Sequence, residues 1–145
     1  MVNVSRTDIY NYLHGLLVGT VSDNIYPMRV PQELTDSDTR DGFIVINVGY
    51  LIDEGEFDCE AYGSVRCYVE AFIPPKSRGR LNDRLFKQYE DGINAVIDEA
   101  SLTREGDYYI EKGSVISLDA TESSTADNTY FTFIKSFIVI IDIQE

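Results

Sequence analysis

An α+β fold is predicted for this chain: a mostly antiparallel sheet of about five strands with two helices packed on one face, forming a single domain over residues 1–145. Three observations carry the prediction. Segments 7–17 and 81–100 repeat apolar residues at helical spacing. Five other segments are apolar or alternating runs of strand length, bounded by Gly, Pro or polar clusters. The order is helix, extended arm, two strands, helix, then two or three strands, and the short connection inside the first strand pair makes that pair antiparallel.

The first helix, 7–17, carries Ile9, Leu13, Leu16 and Leu17 as one stripe, flanked by Tyr10 and Tyr12. Ser5 and Asp8 have capping-box spacing, and Gly19 can end the helix. Segment 24–32 holds Pro27 and Pro31, which force Tyr26 and Val30 toward extended conformations; it reads as an edge segment or arm. Residues 35–42 are polar and acidic and read as a loop. A strand over 43–52, an acidic connection over 53–60 and a strand over 64–73 follow, the last stopped by Pro74-Pro75. Residues 76–80 are a basic loop. The second helix, 81–100, carries Leu81, Leu85, Tyr89, Ile93, Val96, Ile97 and Ala100 on one face, with Gly92 near the stripe. Short strands at 108–111 and 114–119, a polar loop at 121–128 and a long strand at 130–143 close the chain. That last strand would span ~46 Å if straight, so it is expected to bend or to project beyond its own sheet.

Three strands have apolar residues on both faces. Phe137-Ile138-Val139-Ile140-Ile141 has no polar side, Phe43-Ile44-Val45-Ile46 repeats the pattern, and 67–73 does so more weakly. Two helices, each about 10 Å across, cover only one face of a five-stranded sheet about 24 Å wide. Another copy of the chain is the expected cover for the other face.

The formal charge of −13 argues against a general nucleic-acid or membrane surface, because phosphate-rich partners require Lys and Arg. Cys59 and Cys67 are the only cysteines. A hairpin around Gly63 would let them face each other, but reduced thiols are the favoured reading. Residues 1–8 have no secretory apolar core, and no apolar run approaches the ~20 residues of a membrane span. Synthesis in a cytoplasm without export by the general route is expected.

No catalytic signature is found, and no catalytic, cofactor-binding or metal-binding residue is assigned. His14 is the sole histidine and lacks companions for a zinc site or a nucleophile–base arrangement. Phosphate-cradling glycine motifs are absent. Asp53, Glu54, Glu56, Asp58 and Glu60 crowd one connection without the spacing of a calcium loop. The protein is therefore expected not to be an enzyme and to need no cofactor. Lys76, Arg78, Arg80, Arg84 and Lys87 hold five of the twelve cations. They read as a contact between subunits against an acidic patch such as Asp53–Glu60, set against an exposed loop and helix face as the plainer alternative. With Tyr26 and Pro27 of the arm and Phe137, Val139 and Ile141 of the last strand, they make up the candidate interface.

The element order then becomes specific. A leading helix, Ile25-Tyr26-Pro27, Val30-Pro31 and Phe43-Ile44-Val45 resemble the opening of phage tail-completion and tail-terminator proteins. The likeness continues through strand 65–72, the long helix and the late strand, and rests on pattern rather than an invariant motif. The acidic 36–60 region and the polar 121–128 loop depart from the family pattern, which leaves tail terminator, head–tail joining protein and prophage relative all open. The resemblance implies a ring, usually hexameric, that ends the tail tube and joins the tail to the head. The implied partners are the chain itself, a tail tube protein and a head connector protein. DNA would pass through the ring without being bound specifically, and no membrane would be involved. The implied location is the virion tail, or the host cytoplasm during assembly. The competing reading from another class is a small-ligand-binding α+β domain.

Overall fold

A computed structural model describes residues 6–49, 52–57, 60–76, 79–102, 108–124 and 129–144 of the chain. The architecture is α+β. Among the described residues, seven strands form one sheet in the order β1-β2-β4-β7-β5, with β3 beside β4 and β6 beside β7. All pairs are antiparallel except β1 with β2. The seven strands occupy five lanes, because β2 and β3 share one lane along β4 and β6 and β5 share another along β7.

Helix α1 (Arg6–Leu17) buries Ile9, Leu13 and Leu17, residues at helical spacing on one face. Arg6 donates to the Val48 carbonyl from Nε (3.0 Å) and Nη2 (2.6 Å), tying the first turn of α1 to the sheet. Gly19, at φ +72°, follows the helix end as expected. The proposed cap Ser5 lies outside the described residues. Strand β1 (Ile25–Pro27) is a short parallel edge strand beside β2 (Phe43–Val48). Proline is tolerated there because an edge strand has one side without ladder bonds.

The loop expected at 35–42 is instead a helix, α2 (Asp36–Asp41). Thr35 and Asp38 form a reciprocal capping box: the Thr35 hydroxyl accepts from the Asp38 N–H (3.1 Å), and the Asp38 carboxylate accepts from the Thr35 N–H (2.9 Å). The segment has no apolar periodicity to reveal it. Gly42 then turns the chain into β2 at φ +83°, where a Cβ would stand 2.7 Å from the Phe72 carbonyl oxygen.

The expected acidic connection at 53–60 is also corrected. Residues Ile52–Phe57 form strand β3, which continues the lane of β2 along β4 (Glu60–Ile73). The register advances by one residue between Val48↔Cys67 and Ile52↔Ser64, and again between Asp53 and Gly55. Gly49 sits at the first break, and a Cβ there would meet the Arg66 carbonyl oxygen at 2.8 Å. Asp and Gly are poor strand formers, so the ladder with β4 overrides local preference here.

Helix α3 (Asp83–Leu102) starts after Asn82, whose side chain accepts from the Leu85 N–H (3.3 Å). Its buried residues are Tyr89, Ile93, Ile97 and Ala100. Strand β5 (Tyr108–Ile110), a 3-10 turn (Lys112–Ser114) and β6 (Ile116–Ser124) follow. The first part of the expected 121–128 loop is thus strand, paired with the start of β7 after a register shift between Leu118 and Thr121. Residues 125–128 lie outside the description. Strand β7 (Thr129–Gln144) pairs with β4 without a register break from Phe131 to Gln144.

Helices α1 and α3 pack on one sheet face. The core there joins Ile9, Leu13, Leu17, Tyr89, Ile93 and Ile97 to Ile44, Ile46 and Val48 of β2, to Val65, Cys67, Val69, Ala71 and Ile73 of β4, and to Phe133, Phe137, Val139 and Ile141 of β7. Lys135 is buried on the same face. Its Nζ donates to Asn94 Oδ1 (2.6 Å) and Ser117 Oγ (2.9 Å), linking α3 and β6 to β7.

Candidate interaction surface

Strand alternation assigns each residue of β7 to a face, and the assignment overturns part of the expected interface. Phe137, Val139 and Ile141 are 0% exposed beneath the helices. They belong to the subunit's own core and present nothing to a neighbour. The opposite face of β7 carries Ile134, Ser136, Ile138 and Ile140. Tyr26 is half-buried, with its hydroxyl committed to Asp38, while Pro27 is exposed. Lys76, Arg80, Arg84 and Lys87 are exposed around the start of α3. Lys87 pairs with Asp91 at 3.3 Å, whereas Lys76, Arg80 and Arg84 make no ion pair among the described residues. Arg78 and Cys59 lie outside the described residues.

The sheet face away from α1 and α3 has two parts. At one end the arm covers it. Phe43, Val45, Phe72 and Tyr130 are buried there against Tyr26, Val30 and Leu34. Phe43 stacks on Phe72 (ring centroids 4.8 Å, 5° between planes), and Tyr130 meets both rings edge-on. The Tyr130 hydroxyl is buried without a hydrogen-bond partner among the described residues. The Tyr26 hydroxyl lies 2.8 and 2.7 Å from the two oxygens of Asp38, itself 0% exposed. Burial and then this bond push the Tyr26 phenol up to about 12.

Beyond the covered end the face is exposed only in part, since Ser136 and Ile140 on β7 are buried (4% and 2% exposed). Tyr68 is 41% exposed on β4 and Ile116 50% exposed on β6. A groove of about 410 Å³ runs between the arm and the sheet, walled by Met28, Arg29 and Val30 and floored by Val45, Asn47, Tyr68, Glu70, Phe72 and Ile134. The arm wall is held in an unusual conformation. Met28 has φ +70°, Arg29 N–H donates to the Pro27 carbonyl (2.8 Å), and Met28 N–H donates to the Ile46 carbonyl (2.8 Å). A three-residue turn around a non-glycine residue at positive φ is strained, and such strain collects at functional surfaces.

Glu70 is the chemically distinctive floor residue. Its cross-strand neighbours are Val45 on β2 and Ile134 on β7, and Tyr68 and Phe72 flank it on the same strand face. Burial among these apolar groups raises its carboxyl pKa above the ordinary value. It is half-buried and has neither hydrogen bond nor ion pair among the described residues. Nearby on this face, Arg66 Nη1 donates to Ser136 Oγ (2.8 Å).

The other reactive groups are dispersed. Burial pushes the Cys67 thiol up to about 12, and the thiol lies in the core. His14 sits half-buried on α1 beside the Tyr10 ring. Among the described residues, no three His, Cys, Asp or Glu side chains gather as a metal ion would need. No described helix is long and apolar enough to cross a membrane.

Sequence reasoning missed Glu70, Tyr68 and Ile134. Strand parity carries the signal: once Cys67, Val69 and Ala71 are placed inward, Tyr68 and Glu70 must point outward. No protein-family model matches the chain, and no curated protein matches its sequence.

Proposed function

We propose that this chain is a non-enzymatic structural subunit that assembles with copies of itself. In this reading it forms a ring in a long-tailed phage or prophage, ends the tail tube and joins tail to head. The observation that carries self-assembly is the exposed part of the sheet face away from the helices. Both long helices pack on one side, and the other side exposes Tyr68, Ile116 and a groove lined with apolar groups. The phage role rests on the likeness of the leading helix, the Tyr26-Pro27 arm and the Phe43-Ile44-Val45 strand to tail-completion proteins. A tail tube protein and a head connector protein are the proposed partners, and the virion tail is the proposed location, reached from the host cytoplasm. Sedimentation at tens of micromolar and electron microscopy with and without a tail-tube protein test the reading. A concentration-dependent mass and ring particles are expected. A clean 16.4 kDa species that forms no particle with tail-tube protein refutes it.

The groove favours one second reading. Its volume of about 410 Å³ lies in the range of small-molecule sites, and Glu70 supplies an orienting charge. A monomer that binds a small amine in this groove, and never associates, would establish that reading instead.

A further inference from the structure

We propose that the Glu70 groove is the socket for a second copy of this chain, and that Arg80 or Arg84 of the neighbour fills it. The inference rests on the self-assembly reading above and names the contact that such an assembly uses.

The acceptor side is a carboxylate between two aromatic side chains, with Val45 and Ile134 directly across from it. Nothing described pairs with it. A half-buried carboxylate in such surroundings is best satisfied by a cation that brings its own donors and tolerates apolar walls. A guanidinium does both: it forks onto a carboxylate and lies flat against aromatic rings. Arg29 stands on the groove wall and is exposed, and it makes no ion pair with Glu70. Glu70 is thus left open to a cation from a neighbouring copy.

The donor side is the basic loop and first turn of α3. Lys76, Arg80 and Arg84 are exposed and unpaired among the described residues. Arg80 and Arg84 stand at the N-terminal end of a 20-residue helix, where the helix dipole disfavours positive charge. An external carboxylate would offset that unfavourable placement. Copies that each carry −13 repel on average, so close approach needs a local pairing of opposite charge.

The two patches lie on different layers. The groove is on one sheet face, and α3 packs on the opposite face. A contact joining two different patches is heterologous, and repeated contacts of that kind either close into a ring or continue as a filament.

Charge exchange tests the assignment. Three variants are compared with wild type by sedimentation at low and high salt: Glu70→Arg, Arg80→Glu with Arg84→Glu, and all three changes together. Glu70→Gln and circular dichroism control for folding. Each single-sided reversal is expected to weaken association at least ~tenfold. The combined exchange is expected to recover most of that loss, and Arg29→Gln to leave association unchanged or stronger. Reversals that leave association intact, or an exchange that recovers nothing, overturn the assignment. A loss on Arg29→Gln as large as that on Glu70→Arg would make the chain's own arm the partner, and also overturns it. If wild type associates and the Glu70 variants match it, this inference alone fails. A wild type that never associates removes the self-assembly reading and this contact with it. An arginine-bearing peptide that fills the groove of a persistent monomer would put a foreign partner there, against the second copy.

Discussion

Replacing Asp38 with Ala should destabilise the chain by about 2–4 kcal/mol, although the residue lies in a segment with no apolar pattern. The carboxylate is 0% exposed and accepts from the Tyr26 hydroxyl (2.8 and 2.7 Å) and from the Thr35 N–H (2.9 Å). Hydrogen bonds to a charged acceptor contribute about 1.5–3 kcal/mol each, so losing two costs roughly 3–6 kcal/mol before any offset. The offset is the desolvation of the carboxylate itself, which the alanine variant no longer bears. At about 2–4 °C per kcal/mol for a chain of this size, a 3 kcal/mol loss lowers Tm by roughly 6–12 °C. Tyr26→Phe removes only one of the two donors and should cost about 1–2 kcal/mol. Urea unfolding followed by circular dichroism, run on both single variants and the double variant, gives the coupling energy, expected near 1–2 kcal/mol. Hydrogen exchange at the Met28 amide, bonded to the Ile46 carbonyl, should quicken in both single variants, because Tyr26 anchors the arm that walls the groove. An Asp38→Ala loss below about 0.5 kcal/mol, with no coupling to Tyr26, would refute this account of the buried carboxylate.

Tyr130→Phe removes a buried hydroxyl that has no partner among the described residues and should stabilise by about 1–3 kcal/mol in the same urea assay; a net loss would refute that. Gly15→Ala should stabilise by about 0.8–1 kcal/mol, because the position is helical, exposed and open around the added Cβ, while Gly42→Ala should destabilise by at least about 1–2 kcal/mol, since its φ is +83° and a backbone oxygen stands 2.7 Å from the new atom. Cys67 should resist alkylation at pH 8 in the folded chain and react on unfolding. Its folded pKa, about 12, exceeds the ordinary 9.0, so the unfolded thiol releases its proton first and stability should fall as pH rises through that window, with Tyr26 adding in the same direction from 10.0 to about 12. A thiol that titrates and reacts near pH 9 in the native state would contradict its placement in the core.

Much of the fold could be read from local pattern. The stripes Ile9–Leu13–Leu17 and Tyr89–Ile93–Ile97 place α1 and α3 against a sheet, because helical period puts those residues on one side. The apolar runs of β2, β4 and β7 mark the central lanes. Two elements escaped. Helix α2 is held by a capping box and a buried carboxylate, and a short polar segment shows neither as periodicity. Strand β3 contains Asp, Glu and Gly and is strand only because β4 lies beside it. The candidate site was half legible. The exposed basic cluster follows from its charge, whereas the Glu70 groove depends on an arm that closes over the sheet from forty residues away in the chain, between Met28–Val30 and Tyr68–Phe72.

By itself, then, the amino-acid sequence determined the fold class, the two long helices and the strands that occupy the middle of the sheet, since each follows from a period in neighbouring residues. Only the tertiary structure decided which side of those strands faces the helices. Phe137, Val139 and Ile141 point inward while Ile138 and Ile140 point the other way, and both sets are equally apolar. A period of two sorts residues onto two faces but cannot say which face the helices choose. That choice comes from contacts far apart in the chain: Arg6 on the Val48 carbonyl, Lys135 between Asn94 and Ser117, and the long β4–β7 ladder, whose register sets Glu70 between Val45 and Ile134 on the side away from the helices.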